Sequence, residues 1–97
     1  MSHFNNAILI GHASRYNFGS TFNGNKYCSF KLLVVDKLGQ KEAKNYFNVT
    51  CYGGIADVLE RYQEDNKHML VDGRINPITD AEGNSWFEIV ASQIKFL

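Results

Sequence analysis

The sequence predicts an all-β chain with a single short helix, and three patterns support this. Between residues 45 and 52, apolar and polar side chains alternate at period two, as they do in a half-buried strand. Similar short runs recur along the chain and are separated by turn signals such as Asn23-Gly24-Asn25. Helical periodicity occurs once, after Gly53-Gly54, in an apolar series at i, i+3, i+4 and i+7: Ile55, Val58, Leu59 and Tyr62.

Five strands are assigned in chain order, with the helix between the third and the fourth. They are expected over residues 4–13, 27–35, 45–52, 68–75 and 86–97. Residues 36–44 are predicted to be a mobile hairpin loop, and Pro77 with residues 80–84 a second long hairpin loop. Asn66 is expected to be left-handed after the helix. This order predicts a single domain over residues 1–97 with the OB-fold, a five-stranded Greek-key barrel with the helix at one end.

Composition narrows the class of protein. The 97 residues are 44% hydrophobic and 21% charged, which is ordinary for one globular domain. Ten basic and ten acidic residues give a formal net charge of zero, so any nucleic-acid site must rest on local patches. No apolar run approaches the roughly 18 residues that span a bilayer, and the first residues lack a signal-peptide pattern. We therefore expect a cytoplasmic protein without membrane association, in which Cys28 and Cys51 are free buried thiols.

The outer face of the third strand is a candidate platform for base stacking. At period two, one side carries Tyr46, Asn48, Thr50 and Tyr52, whereas Phe47, Val49 and Cys51 point toward the core or a subunit contact. Two tyrosines separated by small polar residues make a poor core, but bases stack well on such a surface. Tyrosine also simply suits strands, so this strand alone leaves a structural role open.

Catalytic chemistry is not indicated. His3, His12 and His68 are scattered along the sequence and lack the spacing of a metal site. No nucleophile with a partner base is visible. Gly53-Gly54 lacks the further glycines and the lysine of a phosphate-binding loop. We expect no enzyme activity, no catalytic residues, no metal and no cofactor.

Four segments of the chain resemble the bacterial and phage single-stranded-DNA-binding proteins. Residues 4–11, FNNAILIG, are similar to that family's first strand, and residues 52–56, YGGIA, to its aromatic-Gly-Lys-Leu-Ala helix start. Val71-Asp72-Gly73-Arg74 resembles its fourth strand, and residues 93–97, QIKFL, the end of its fold. The segments keep the family's order over nearly the whole chain. The resemblance implies an OB-fold that binds single-stranded DNA.

The resemblance also implies roles for individual residues, and it shows where this sequence differs from the family pattern. Tyr46 stands where the family has a stacking tryptophan, and Tyr52 where it has a stacking phenylalanine. Both hairpin loops are shorter, and the first lacks an aromatic that the family often uses. Ile78 lies near the place of another stacking tryptophan, Trp86 matches no family aromatic, and Asn6 and Gly54 replace lysines. We expect a lower DNA affinity than that of a typical member.

The predicted function is sequence-independent binding and protection of single-stranded DNA in replication, recombination or repair. Bases would stack on Tyr46, Tyr52 and Trp86, with Asn48 and Thr50 between the tyrosines. Phosphates would meet three basic residues, Lys31, Arg74 and Lys26, and the first hairpin could close over the strand with Lys37, Lys41 and Lys44. For Trp86, packing in the core or between subunits is an equally good interpretation. For the hairpin lysines, a role in solubility is nearly as good an interpretation as DNA binding.

The family resemblance further implies a homo-oligomer, with a tetramer as first choice and a dimer as second. Leu33 and Val35 lie opposite the apolar face of the second strand, and the first strand is apolar on both sides. This is more apolar surface than one small barrel buries. The gene is expected to be bacterial, or to be carried by a plasmid or phage, and the protein to be nucleoid-associated.

A function of another class stays open, namely an OB-fold protein-interaction or primosome-loading module with weak or no DNA binding. The neutral charge and the missing tryptophans favour this alternative. Cys28-Ser29-Phe30 is similar to a segment of the primosomal replication protein N group. The aromatic face and the YGGIA helix start favour the DNA binder.

Overall fold

A computed structural model describes residues 3–97, and its strands form one closed barrel. The elements are β1 (Ala7–Ser20), β2 (Lys26–Leu38), β3 (Lys41–Tyr52), α1 (Gly54–Tyr62), β4 (Lys67–Thr79) and β5 (Ser85–Phe96). The strand order is β1-β2-β3-β5-β4, and β4 pairs back onto β1. The β3–β5 pairing is parallel and the others are antiparallel. The predicted five-stranded barrel with a helix between the third and fourth strands is confirmed.

The core fills the barrel because alternate residues of each strand point inward. Its largest fully buried side chains come from four strands and the helix: Leu32, Leu59, Met69, Ile89, Val49, Val71, Cys28 and Cys51. The helix α1 adds Ala56 beside Leu59, so its buried face covers the end of the barrel next to β2 and β3. Each large aliphatic side chain buried here stabilises the fold by roughly 1.5–3 kcal/mol.

The first strand is longer than the sequence predicted. It was expected to end between Gly11 and Ala13, but it continues to Ser20. A bulge between Ser14 and Asn17, with Arg15 at a φ of 58°, shifts the register. The bulge bends β1, so that its first half pairs with β4 and its second half with β2. After Ala13 the only apolar alternation is Tyr16 and Phe18, which pack against the core, and pairing with β2 supplies the rest of the strand geometry.

The first hairpin is an ordered arm rather than the predicted mobile loop. The pairing of β2 with β3 continues to Leu38 and Lys41, across a two-residue turn at Gly39-Gln40. Gly39 has a φ of 68°, a conformation that tight hairpin turns require and that glycine adopts freely. Because the backbone groups of residues 36–44 are paired across the ladder, this polar segment is a strand extension, which we call the β2–β3 arm.

The second hairpin also extends further than predicted. The fourth strand continues through Pro77 to Thr79, where it pairs with β5 alone, so the missing N–H of proline breaks no second ladder. The connecting loop spans residues 80–84, as predicted. Asp80 orders it, since one carboxylate oxygen accepts hydrogen bonds from the backbone N–H of Glu82 and of Asn84, both at 2.9 Å.

The two cysteines are free and buried, and Asn66 has a left-handed backbone conformation, as the sequence predicted. Cys28 and Cys51 are free, buried and directly opposite each other on β2 and β3. The Cys51 thiol donates to the Cys28 carbonyl at 3.6 Å, and hydrogen bonding with Cys28 together with burial raises the pKa of Cys51. This disfavours a reactive thiolate. Asn66 has a φ of 63° in the turn that leads from α1 to β4.

The histidines are less scattered than the sequence suggested. His12 of β1 and His68 of β4 are cross-strand partners whose rings stack at a centroid distance of 4.6 Å. Within residues 3–97, histidine, cysteine, aspartate and glutamate residues form no group of three or more that could hold a metal ion. Over the same residues, no helix is both long enough and apolar enough to cross a membrane.

Candidate nucleic-acid interface

The outer face of β3 carries the side chains that its alternation predicts. Tyr46 and Tyr52 are 61% and 47% exposed, and Asn48 between them is also exposed. Thr50 lies on the same face but is only 9% exposed, because side chains of β2 and β5 flank it. Phe47 has the inward orientation, yet it is only half-buried, because it lies beyond the closed part of the barrel.

Neighbouring strands widen this face into a surface three strands across. On β2, Lys31 is the register partner of Asn48, and its ammonium donates a hydrogen bond to the Asn48 side-chain oxygen. On the other side, β5 runs parallel to β3, with Val90 beside Thr50. Alternation along β5 therefore places Trp86 and Glu88 on the same outer surface.

Two adjacent grooves follow this surface. The first, which we call the polar groove, has a volume of about 250 Å³ and is lined by Arg15, Ser29, Phe30, Lys31, Asn48, Thr50, Trp86 and Glu88. The second, the aromatic groove, has a volume of about 460 Å³ and is lined by Asn45, Tyr46, Phe47, Asn48, Ser85, Trp86 and Phe87. Both grooves share Asn48 and Trp86. The two grooves therefore lie next to each other on this face, and one extended ligand could contact both.

A carboxylate is fixed within the polar groove. The Thr50 hydroxyl donates to Glu88 Oε2 at 2.8 Å, and the Asn76 amide donates to Glu88 Oε1 at 3.2 Å. The Thr50 hydroxyl is thereby satisfied despite its burial. The two bonds come from β3 and β4, so the carboxylate is held between its neighbours on both sides.

Most of the predicted site residues converge on the two grooves. Tyr46, Asn48, Thr50, Lys31 and Trp86 line one or both. Trp86 is 45% exposed, at the root of the second hairpin, and lines both.

Three predicted residues lie outside the groove linings. Tyr52 is further along β3, opposite Tyr27 of β2. Arg74 is exposed on β4 and pairs with Val90, which in turn lies beside Thr50. Both are thus on strands of the same barrel face without touching either groove.

Lys26 is held by the helix instead. Its ammonium forms ion pairs with Glu60 at 2.8 Å and with Asp57 at 3.0 Å. Hydrogen bonds to Glu60 and then Asp57 raise the pKa of Lys26. Its charge is therefore balanced by α1, which makes it a weaker candidate for phosphate contact than Lys31.

Arg15, Phe87 and Glu88 are among the groove residues that the sequence did not predict. Glu88 could have been found, because it follows Trp86 at the strand period of two. Phe87 has the opposite orientation and lines the aromatic groove beyond the barrel end, where its ring lies 6.4 Å from that of Phe47. Arg15 could not have been found, because its direction depends on the bulge in β1.

Comparisons with known proteins agree with this architecture. A model of the single-strand binding protein family matches residues 4–97. Among solved structures, the chain is similar to the Plasmodium falciparum SSB in its complex with ssDNA, with a TM-score of 0.88 and 19% identity, over 100% of this chain and 97% of that one. No curated protein sequence matches the chain.

A second solved structure gives the same result for the fold. It is a deletion mutant of the single-stranded DNA binding protein from Thermus aquaticus, with a TM-score of 0.85 and 23% identity. The match covers 97% of this chain and 50% of that one, so this chain spans about half the length of the Thermus chain. At such identities the likeness to both solved structures concerns the fold.

Proposed function

Because the chain belongs to the single-strand binding protein family, we propose that it binds single-stranded DNA along the polar and aromatic grooves. Binding of single strands is the function of this family, and the location of the site is our inference. The observation that carries it is the adjacency of the two grooves, which share Trp86 and Asn48 on the face where Tyr46 is exposed. Protection of single strands during replication, recombination or repair follows from such binding.

Stacking supplies the sequence-tolerant part of the affinity. Every base has a π-face, so Tyr46, Trp86 and Tyr52 can each stack on any base, with a contribution of about 1–3 kcal/mol per base. Six residues along a strand separate Tyr46 from Tyr52, a distance of roughly 20 Å. The two tyrosines therefore hold different nucleotides, and Trp86 lies between the grooves to hold a third.

Phosphate contacts come from the basic residues that border the face. Arg15 and Lys31 line the polar groove, and Arg74 is exposed on β4. A guanidinium or ammonium at the groove edge attracts phosphates without reading the bases. The lysines of the β2–β3 arm, Lys37, Lys41 and Lys44, are exposed, and the arm begins next to Asn45 of the aromatic groove, so they can add to this attraction.

The family membership and the grooves favour DNA binding over the protein-interaction module. Members of the family bind DNA and are not enzymes, and we infer no catalytic role for this chain. We place the protein in the cytoplasm, associated with the nucleoid, of a bacterium or of a host that carries its plasmid or phage.

The function is tested by titrating the protein with single-stranded and duplex DNA of equal length at low salt. Trp86 is the only tryptophan, so its fluorescence reports occupancy of both grooves directly. We expect quenching and tight binding with the single strand and weak binding with the duplex. Equal affinity for the two forms, or an unchanged Trp86 emission at saturation, would contradict the proposal.

A further inference from the structure

A carboxylate is an unexpected group inside a groove that is proposed to hold a polyanion. Glu88 lines the polar groove together with Arg15 and Lys31. We propose that Glu88 makes this groove select bases with an exocyclic amino group, cytosine above all, over thymine and uracil. This proposal rests on the proposed function, because it concerns which bases the same groove prefers.

The Glu88 carboxylate is held in place, but its hydrogen-bonding capacity is not saturated. Oε2 accepts one hydrogen bond from Thr50 and Oε1 accepts one from Asn76, at 2.8 and 3.2 Å. A carboxylate oxygen has two acceptor positions, so each oxygen keeps one free. The carboxylate borders the open groove, and its two bonds prevent it from turning away.

A hydrogen-bond acceptor that is fixed in this way discriminates between the edges of different bases. Cytosine presents its N4 amino group, which donates to a carboxylate, and this is the usual pairing of Glu or Asp with cytosine. Thymine and uracil present the O4 carbonyl at the same position, and two facing acceptors repel each other. Their N3–H is the only donor on this edge and is flanked by two carbonyl oxygens, so a carboxylate that accepts from it meets repulsion on both sides. Such a base leaves the carboxylate desolvated without an adequate new partner.

The negative charge of Glu88 also determines which side of the DNA strand enters the groove. A phosphate placed beside Glu88 would bring two negative charges together in a partly buried site. Lys31 and Arg15 line the same groove and offer phosphates a favourable alternative. The strand therefore enters with its bases toward Glu88 and its backbone toward the basic residues.

The test compares oligo-deoxycytidine with oligo-deoxyuridine of equal length. At the base, cytosine has an amino group where uracil has the O4 carbonyl, and its N3 is an acceptor where that of uracil carries a proton; neither base has the methyl group of thymine. At mildly alkaline pH, where cytosine stays unprotonated, we expect the protein to bind the cytosine strand at least about threefold more tightly. In Glu88→Gln the ratio should fall to near one, because an amide both accepts from N4 and donates to O4.

A matched variant controls for the lost charge. Glu64→Gln removes a carboxylate after α1 that lines neither groove, and should leave the ratio unchanged. Should Glu88→Gln fail to fold, strands of N4,N4-dimethylcytosine test the same contact with the unaltered protein. These strands keep the ring but lose the amino donor, and they should bind like the uracil strand.

The outcomes separate the two proposals. Equal binding of the cytosine and uracil strands by the unaltered protein overturns the role of Glu88 and leaves single-strand binding intact. A preference for cytosine that survives Glu88→Gln, or that survives dimethylation of the base, also overturns it. Failure to bind any of the single strands overturns the proposed function itself.

Discussion

At the scale of single residues, direction and environment together decide what a side chain does. Val49 and Phe47 both point inward from β3, but Val49 is fully buried in the barrel and Phe47 is half-buried beyond its end. Tyr46 and Tyr52 point outward from the same strand, Tyr46 before Phe47 and Tyr52 after Val49. Removing both tyrosines therefore tests stacking with no cavity in the core.

We predict that Tyr46→Ala combined with Tyr52→Ala weakens single-strand binding by roughly 2–5 kcal/mol, since each tyrosine would lose a stacked base. The loss is measured by titrating Trp86 fluorescence, and the thermal melting of the protein should stay nearly unchanged. Tyr62→Ala is the matched control, because Tyr62 is 57% exposed on α1 and lines neither groove. Normal binding by the double variant would show that the outer face of β3 is not part of the binding site.

A second residue-scale prediction concerns alkaline pH. Burial, followed by the charge of Cys28, raises the pKa of Tyr16 from 10.0 to about 12. Between these values the unfolded chain has lost a proton that the folded chain retains, so stability falls as the pH rises from about 10 to about 12. Below that window the titration of Tyr16 does not make stability depend on pH.

In Tyr16→Phe this part of the alkaline loss should disappear, and urea unfolding at a series of pH values measures it. The Tyr16 hydroxyl donates to the Glu64 carbonyl at 3.3 Å, so the variant is expected to be slightly less stable at neutral pH. Tyr62→Phe, at an exposed tyrosine, should keep the full alkaline loss. An identical pH profile for Tyr16→Phe and the unaltered protein would contradict the assignment.

At the scale of elements, β2 and β3 each have one part that contributes to the barrel core and another part that extends into the β2–β3 arm. Leu32 lies in the barrel with no exposed surface, and its register partner is Phe47, whose ring packs near that of Phe87. The sequence placed Phe47 in the core or at a subunit contact, and the structure shows it half-buried at the aromatic groove. The two partners should differ in their contribution to stability.

We predict that Leu32→Ala lowers the free energy of unfolding by about 2–5 kcal/mol, as expected for a fully buried leucine. Phe47→Ala should cost less than half of that in a monomer, because part of its surface already meets water. Urea unfolding measures both. Equal losses would show that Phe47 is buried by a partner subunit, which the sequence had left open.

How much of this architecture is predictable depends on whether the signal is local. Strand alternation is local, so the outward positions of Tyr46 and Tyr52, the buried cysteines and the helix all follow from the sequence. The β2–β3 arm is polar and the second half of β1 has only Tyr16 and Phe18 as an apolar face, so pairing across a hairpin, which alternation does not report, makes both of them strands. For the same reason the pairing of Lys26 with α1 could not be foreseen, since it needs the distance between β2 and the helix.

At the scale of the whole molecule, one protomer leaves apolar surface uncovered. Ile8 and Ile10 of β1 are 59% and 51% exposed, and Val35 of β2 is also exposed. Adjacent exposed aliphatic side chains are typical of contacts between proteins. We predict a homo-oligomer, a tetramer before a dimer, when light scattering measures the mass at micromolar concentration.

Ile8→Lys combined with Ile10→Lys should lower that mass, because buried lysines without partners oppose association. Both side chains point out of the barrel, so the folded protomer should survive. A monomer mass for the unaltered protein would refute the prediction of an oligomer. An unchanged mass for the variant would show that the subunit contact does not involve this part of β1.

The salt dependence of binding separates charge from stacking over the whole site. Each phosphate neutralised contributes about −0.7 to the slope of log affinity against log salt for single strands. Arg15, Lys31 and Arg74 border the proposed site, so we expect a slope of about −2 per subunit. Lys31→Ala should reduce its magnitude by about 0.7, and Tyr52→Ala should lower affinity at every salt concentration without changing the slope.

Lys26→Ala is the matched control for Lys31→Ala, since both remove one lysine of β2. The Lys26 ammonium already faces Asp57 and Glu60, so its loss should leave the slope unchanged. Isothermal titrations at four or more salt concentrations would measure the slopes. A slope that responds to Lys26→Ala and not to Lys31→Ala would place the phosphates beside α1, and the grooves along β3 would then not be where the strand binds.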